Sequence, residues 1–210
     1  MKKIAILSIL ATFLVALSFT SCDTGSNSDS SSSTLPSTTE ARAMLSKFAG
    51  THNCGILFPG DSTRSIAKDS TTNTISINAS DSTFTITNFA VKNLAKYVKD
   101  AELSKAIAAL PNQTLKGKLY PYNYSSYLFC SATENITFKN ADNKDVTLMF
   151  YTGYTNYALA GLSSDKTSFL LYLTPGTIYV DKTQRSDALY TGTNIYGYSY
   201  PYIMYVKYTL

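Results

Sequence analysis

His52 and Cys54 stand two residues apart and carry the chain's one imidazole and one of its three thiols. A thiol beside an imidazole can work as nucleophile and base. If THNCGILF is extended, however, alternate side chains project in parallel, so His52, Cys54, Ile56 and Phe58 share a face. Parallel groups do not offer protons to one another, and no segment marks an oxyanion hole. A Ser–His–Asp triad would need the same histidine. The expected role of His52 is structural, no residue is assigned as catalytic, and the chain does not read as an enzyme. Cys54 and Cys130, both in predicted strands, are either a disulfide outside the cytoplasm or two buried thiols. As a bridge they would close a loop of roughly 75 residues, a contribution of about 3 to 5 kcal/mol.

Metal chemistry has little to build on. Two cysteines and one histidine give no zinc spacing. Asn140, Asp142, Asn143 and Asp145 gather oxygens in NADNKD, but the spaced glycine and distal glutamate of a calcium loop are missing. A hairpin turn is the expectation there. The remaining carboxylates are scattered and define no glycosidase pair. No metal and no cofactor is expected.

Two patterns concern surfaces. YGYSYPYIMYVKY, residues 196–208, holds six tyrosines. If extended, Tyr196, Tyr198, Tyr200 and Tyr202 share a face with Met204, Val206 and Tyr208, and Pro201 marks an edge or bulge. That face is either the wall of a β-core or a ligand-contacting surface, since a phenol has an apolar body and a polar tip. Asp-Ser-Thr recurs at 61–63, 69–71 and 81–83. It resembles an O-glycosylation sequon of exported bacterial proteins, with Ser62, Ser70 and Ser82 as acceptors.

The N-terminus sets the address. MKKIAILSILATFLVALSFTSC has basic Lys2 and Lys3, an apolar run Ile4–Phe19, then small polar residues before Cys22. It resembles a bacterial lipoprotein signal with Cys22 as the acylated residue. Phe19 stands where Leu is usual. Acyl chains anchor at about 0.8 kcal/mol per buried CH₂, and more than one chain makes anchoring stable. Residues 23–39, DTGSNSDSSSSTLPSTT, have no aromatic residue and read as a flexible tether. The expected organisation is a signal at 1–21, an acylated cysteine and tether at 22–39, and one domain at 40–210. The place is the cell envelope, most simply the outer membrane. Net charge is +4, of which two charges lie in the leader, too little to argue for nucleic acid.

These residues must be positioned by a mainly β fold. Ala41, Met44, Leu45 and Phe48 have helical spacing, with Thr38 or Thr39 as cap and Gly50 as stop. NTISINA and STFTITNF alternate across a turn and predict a hairpin. Val91, Leu94, Ala95 and Val98, then Leu103, Ala106, Ile107 and Leu110 after Asp100, predict a helical pair. Beyond Pro111 the predicted strands are QTLKGKLY, SYLFCSA, NITFKN, DVTLMFYT, TSFLLYLT, TIYVDK and the Tyr-rich end. ADNKD and TPG are the turns between neighbours. Short strands without crossover helices predict an antiparallel barrel or sandwich.

The SCD end of the signal, the Ser/Thr tether, GTHNCGIL, ITNFAV and the β-rich C-terminal half together resemble uncharacterised lipoproteins of gut-type Gram-negative bacteria. These are grouped as domains of unknown function, and some are lipocalin-like. The resemblance implies a lipid-anchored binding or interaction module. Its partner would be a glycan, an apolar small molecule or an envelope protein. The competing expectation is a structural adhesin or assembly component with no small-molecule ligand.

Overall fold

Alternation builds the walls. The computed structural model describes residues 36–59, 66–68, 72–123, 128–153, 158–185, 187–193, 199–201 and 203–210. Helix α1 (Thr38–Ser46) leads into β1 (Gly50–Pro59), followed by β2 (Ile66–Lys68), β3 (Asn73–Asn78) and β4 (Thr83–Phe89). A 3₁₀ segment (Val91–Tyr97) and α2 (Ala101–Ala108) precede β5 (Gln113–Asn123), β6 (Leu128–Thr133), β7 (Ile136–Lys139) and β8 (Asp145–Phe150). Then come β9 (Leu159–Leu162), β10 (Ser168–Leu173), β11 (Pro175–Val180) and β12 (Thr183–Arg185). The chain ends with β13 (Thr191–Thr193), β14 (Ser199–Pro201) and β15 (Met204–Thr209).

Eight strands form a nearly closed antiparallel barrel in the order β1-β3-β4-β5-β6-β9-β10-β15, and β15 returns to pair with β1. The seam is Gly55–Lys207, Ile56–Val206 and Leu57–Tyr205. Paired residues face the same side, so the register carries one inward row around the ring. Ile75 pairs with Ile86, Ile86 with Leu115, Phe129 with Ala160, Ala160 with Leu171, and Leu171 with Val206. All seven of these side chains are buried.

At one point two neighbours cannot both fill the row. Phe84 pairs with Gly117. A Cβ on Gly117 would run into the Phe84 ring and the Ala132 carbonyl. Glycine is required here for space.

Both barrel ends are closed by chain. At the end where β1 begins, α1 buries Ala41, Met44 and Leu45, and the following Phe48 packs on Phe129 and Phe169 at 6.5 and 4.9 Å. Its cap is Ser37 rather than Thr38 or Thr39, with Glu40 completing a capping box. Gly50 does not stop the helix; it opens β1 with φ +110°. At the other end, the 3₁₀ segment and α2 bury Val91, Leu94, Tyr97, Leu103 and Ile107. Asp100 caps α2 by accepting from the Glu102 and Leu103 amides, and also binds Arg185 at 3.1 Å. These contacts hold its carboxyl below the usual range, the Leu103 amide contributing most.

A four-stranded sheet, β12-β11-β8-β7, leaves from that second end. Here the structure corrects a sequence expectation. TPG is not a hairpin turn, because β10 pairs within the barrel while β11 pairs with β8 and β12. Thr174 is the residue at which the chain passes from one sheet to the other. The Tyr-rich end is likewise two strands, with β14 paired to β13 and only β15 in the barrel.

Replacing Gly117 with Ala should lower stability by about 1–3 kcal/mol through overpacking. Urea titration should show the midpoint falling at unchanged slope. An unaltered midpoint would mean the Phe84 ring does not lie where described.

Candidate functional site

The inward row of β1 holds the residues first suspected of chemistry. His52 pairs with Ile75, and Cys54 with Asn73. The His52 ring stacks on Tyr208 at 4.2 Å, nearly parallel. Its Nε2 lies 3.2 Å from the Phe48 carbonyl oxygen and 3.3 Å from that of Ala49, so the Nε2–H tautomer donates to both. Tyr208 donates its hydroxyl to the Phe48 carbonyl at 3.1 Å, across 160 residues of sequence. The imidazole therefore fastens the segment after α1 to the first and last barrel strands. Burial pushes the Cys54 thiol up to about 11, and Cys54 is a free cysteine. Such a thiol is a poor nucleophile near neutrality.

Cys130 pairs with Tyr120 and Leu159 through its backbone on β6; its side chain lies outside the described residues. In the strand order, β6 stands four places from β1 whichever way the ring is counted. An eight-strand ring at roughly 4.8 Å per strand is about 12 Å across or more. A disulfide needs Cα atoms closer than about 7 Å. The topology therefore keeps the two cysteines on opposite walls.

A different surface gathers polar side chains. On the outer face of the four-stranded sheet, Tyr179 of β11 pairs with Thr147 of β8, which pairs with Thr137 of β7; Gln184 of β12 lies opposite Tyr179. Asp145, Thr147, Tyr179, Asp181 and Lys182 line an open groove of about 620 Å³. Its end is fixed by two backbone links. The Asp145 amide donates to Asp181 Oδ1 at 2.9 Å, and the Asp181 amide donates to the Asp145 carbonyl at 2.8 Å. Lys139 bonds Asp145 Oδ1 at 2.8 Å. Each carboxylate thus has Oδ1 engaged. Asp181 and Lys182 form the two-residue turn between β11 and β12, with φ +45° and +67°. A turn with positive φ at both positions favours Asn-Gly. Asp tolerates the left-handed region, whereas Lys182 there costs roughly 1–2 kcal/mol. Two residues along β11, Thr177 keeps a buried hydroxyl oxygen without a hydrogen-bond partner.

With this geometry in view, the family model for the domain of unknown function DUF4840 matches residues 47–180. The chain belongs to this family. The matched span runs from the end of the α1 segment through β11 and leaves out β15, the strand that closes the barrel. Asp145, Thr147 and Tyr179 fall inside the DUF4840 span, and Asp181 and Lys182 directly after it. No curated protein and no solved structure matches the chain.

The other sequence-predicted sites are unevenly covered. Cys22, Ser62, Ser70, Tyr196, Tyr198 and Tyr202 lie outside the described residues, as does the Tyr200 side chain. Ser82 is half-exposed in the β3–β4 turn at φ +57°. Beside it, Asp81 Oδ1 accepts from the Thr83 hydroxyl and amide at 2.6 and 3.1 Å. NADNKD folds as the expected turn, with Asn140 Oδ1 accepting the amides of Asp142 and Lys144. Sequence reading did not find the groove. Tyr179 and Asp181 are far from Asp145 in the chain, and only the β8–β11 register joins them. The signal available was a two-residue turn, Asp-Lys, without glycine.

The raised Cys54 value has a definite sign. The folded state favours the protonated thiol, so this contribution to stability is present below pH 9 and is lost as pH rises towards 11. At pH 7.5 iodoacetamide should modify native Cys54 slowly. In urea without reductant both Cys54 and Cys130 should react. Failure of both to react until reductant is added would show a bridge.

Proposed function

We propose that this DUF4840 protein is a lipid-anchored envelope module that binds its partner through its outer surface rather than through the barrel lumen. The observation that carries the reading is the filled inward row. Ile56, Ile75, Ile86, Phe129, Phe169, Leu171 and Val206 are fully buried against one another's strands, in one continuous core with the helices and the second sheet. A carrier of an apolar small molecule needs a cavity of roughly 300 Å³ or more. Side chains occupy that position here. The reading keeps a glycan or an envelope protein as partner and sets aside an enclosed apolar ligand, and with it a lipocalin-like mode of action.

Topology supports the same reading. The chain enters through α1 at one barrel end, and the second sheet leaves from the other. A flexible tether would join the described domain at α1, at the barrel end opposite the second sheet. Exposed Tyr120, Tyr122 and Tyr190 add aromatic surface. Ser62, Ser70 and Ser82 remain proposed glycan acceptors.

Protein extracted from the envelope should begin at a diacylated Cys22 by intact mass. It should take up no long-chain fatty acid or apolar fluorescent probe at stoichiometric level. A saturable one-to-one complex with such a probe would contradict surface binding, and an unprocessed, unacylated start would contradict the address.

A further inference from the structure

We infer that the groove on the outer face of the β12-β11-β8-β7 sheet is a saccharide subsite for a neutral sugar ring bearing vicinal hydroxyls. This rests on the surface-binding reading above and deepens it.

The chemistry of the lining selects the ligand. Tyr179 is half-exposed at the centre of a row flanked by Gln184, Thr147 and Thr137. A phenol ring gives the C–H face of a sugar an apolar plane, and its hydroxyl serves the rim. Asp145 and Asp181 each keep Oδ2 outside the contacts that hold Oδ1. A carboxylate oxygen accepts from hydroxyls in charge-assisted bonds, and a lysine ammonium donates to their oxygens. Lys182 supplies that donor on the groove wall. Sugar hydroxyls are donors and acceptors at once, and this lining offers both.

Charge removes the competitors. Lys139 pairs with Asp145 at 2.8 Å and Lys182 stands beside Asp181 on the groove wall, so the charges balance and no surplus of cations selects phosphate, sulfate or uronate groups. A wholly apolar ligand would strand four polar side chains. A protein partner needs about 800 Å² on each side, more than a groove between four short strands presents. The groove is open, so it accepts a ring within a longer chain as readily as a terminal one.

The turn that presents Asp181 and Lys182 offers a clean variant. Both residues sit at positive φ, where glycine is favoured. Lys182→Gly therefore separates the two roles: it should leave the fold as stable or more stable while removing the donor.

The test uses the full chain, purified in detergent, on an array of neutral gluco-, manno- and galacto-configured oligosaccharides printed beside sulfated and uronate-containing ones. Neutral sugars should be retained and anionic ones rejected. Tyr179→Ala should weaken retention at least tenfold. Asp181→Asn and Lys182→Gly should weaken it three- to tenfold, the latter with an equal or higher thermal midpoint. Retention of anionic sugars alone, or neutral binding indifferent to all three variants, overturns the subsite. A blank array overturns it too. In that case surface binding as such is judged separately, by in-envelope crosslinking from cysteines placed on the outer face: a specific adduct preserves that reading, and none removes it as well.

Discussion

The pairing of the last strand with the first is the constraint on which the rest depends. Three residue pairs between β15 and β1 turn a curved sheet into a ring. With it come Met204, Val206 and Tyr208, all buried on the inward row. A closed ring has no exposed edge in its wall. Without β15 the row would stand open between β1 and β10, and Tyr208 could not reach the Phe48 carbonyl. The hydroxyl bond and the His52 stack join the first and last barrel strands at one barrel mouth. His52 on β1 is therefore tied to closure, and the surface proposed for a partner lies outside the filled lumen.

That division of labour accounts for the contrast between the two sheets. Barrel strands direct one face to the core, which Phe48, Phe84, Phe129 and Phe169 help to fill. The appended sheet buries Ile136, Val146, Leu148, Phe150 and Ile178 on one side. Its other side carries Thr, Tyr, Asp, Lys and Gln. An antiparallel sheet covered on one face is a natural platform for solvent-side recognition.

Much of the barrel was legible because its signal is local. Ile75, Ile77, Phe84 and Ile86 alternate with threonine and serine, and the hairpin they predict is β3–β4. His52, Cys54 and Ile56 share a face as expected, as do Met204, Val206 and Tyr208. Asp100 caps its helix because Asp before a helical run satisfies free amides whatever the tertiary setting. The misreadings were long-range. β9 was not anticipated: LAGL has small residues and no β-branching, and its place is set by β6 and β10 on either side. Thr174-Pro175-Gly176 has turn composition, yet whether a chain turns back or crosses to another sheet is decided by its partners. The groove was hidden for the same reason, since Asp145, Tyr179 and Asp181 meet only through pairing.

Amide hydrogen exchange along β15 tests closure most directly. If the ring is closed as described, the amides of Met204–Thr209 that bond to β1 and β10 should exchange only with global unfolding, as slowly as those of β3 and β4. Fast exchange in β15 while β3, β4 and β5 stay protected would mean an open sheet, and the case for a filled lumen and an outward-facing site would fall with it.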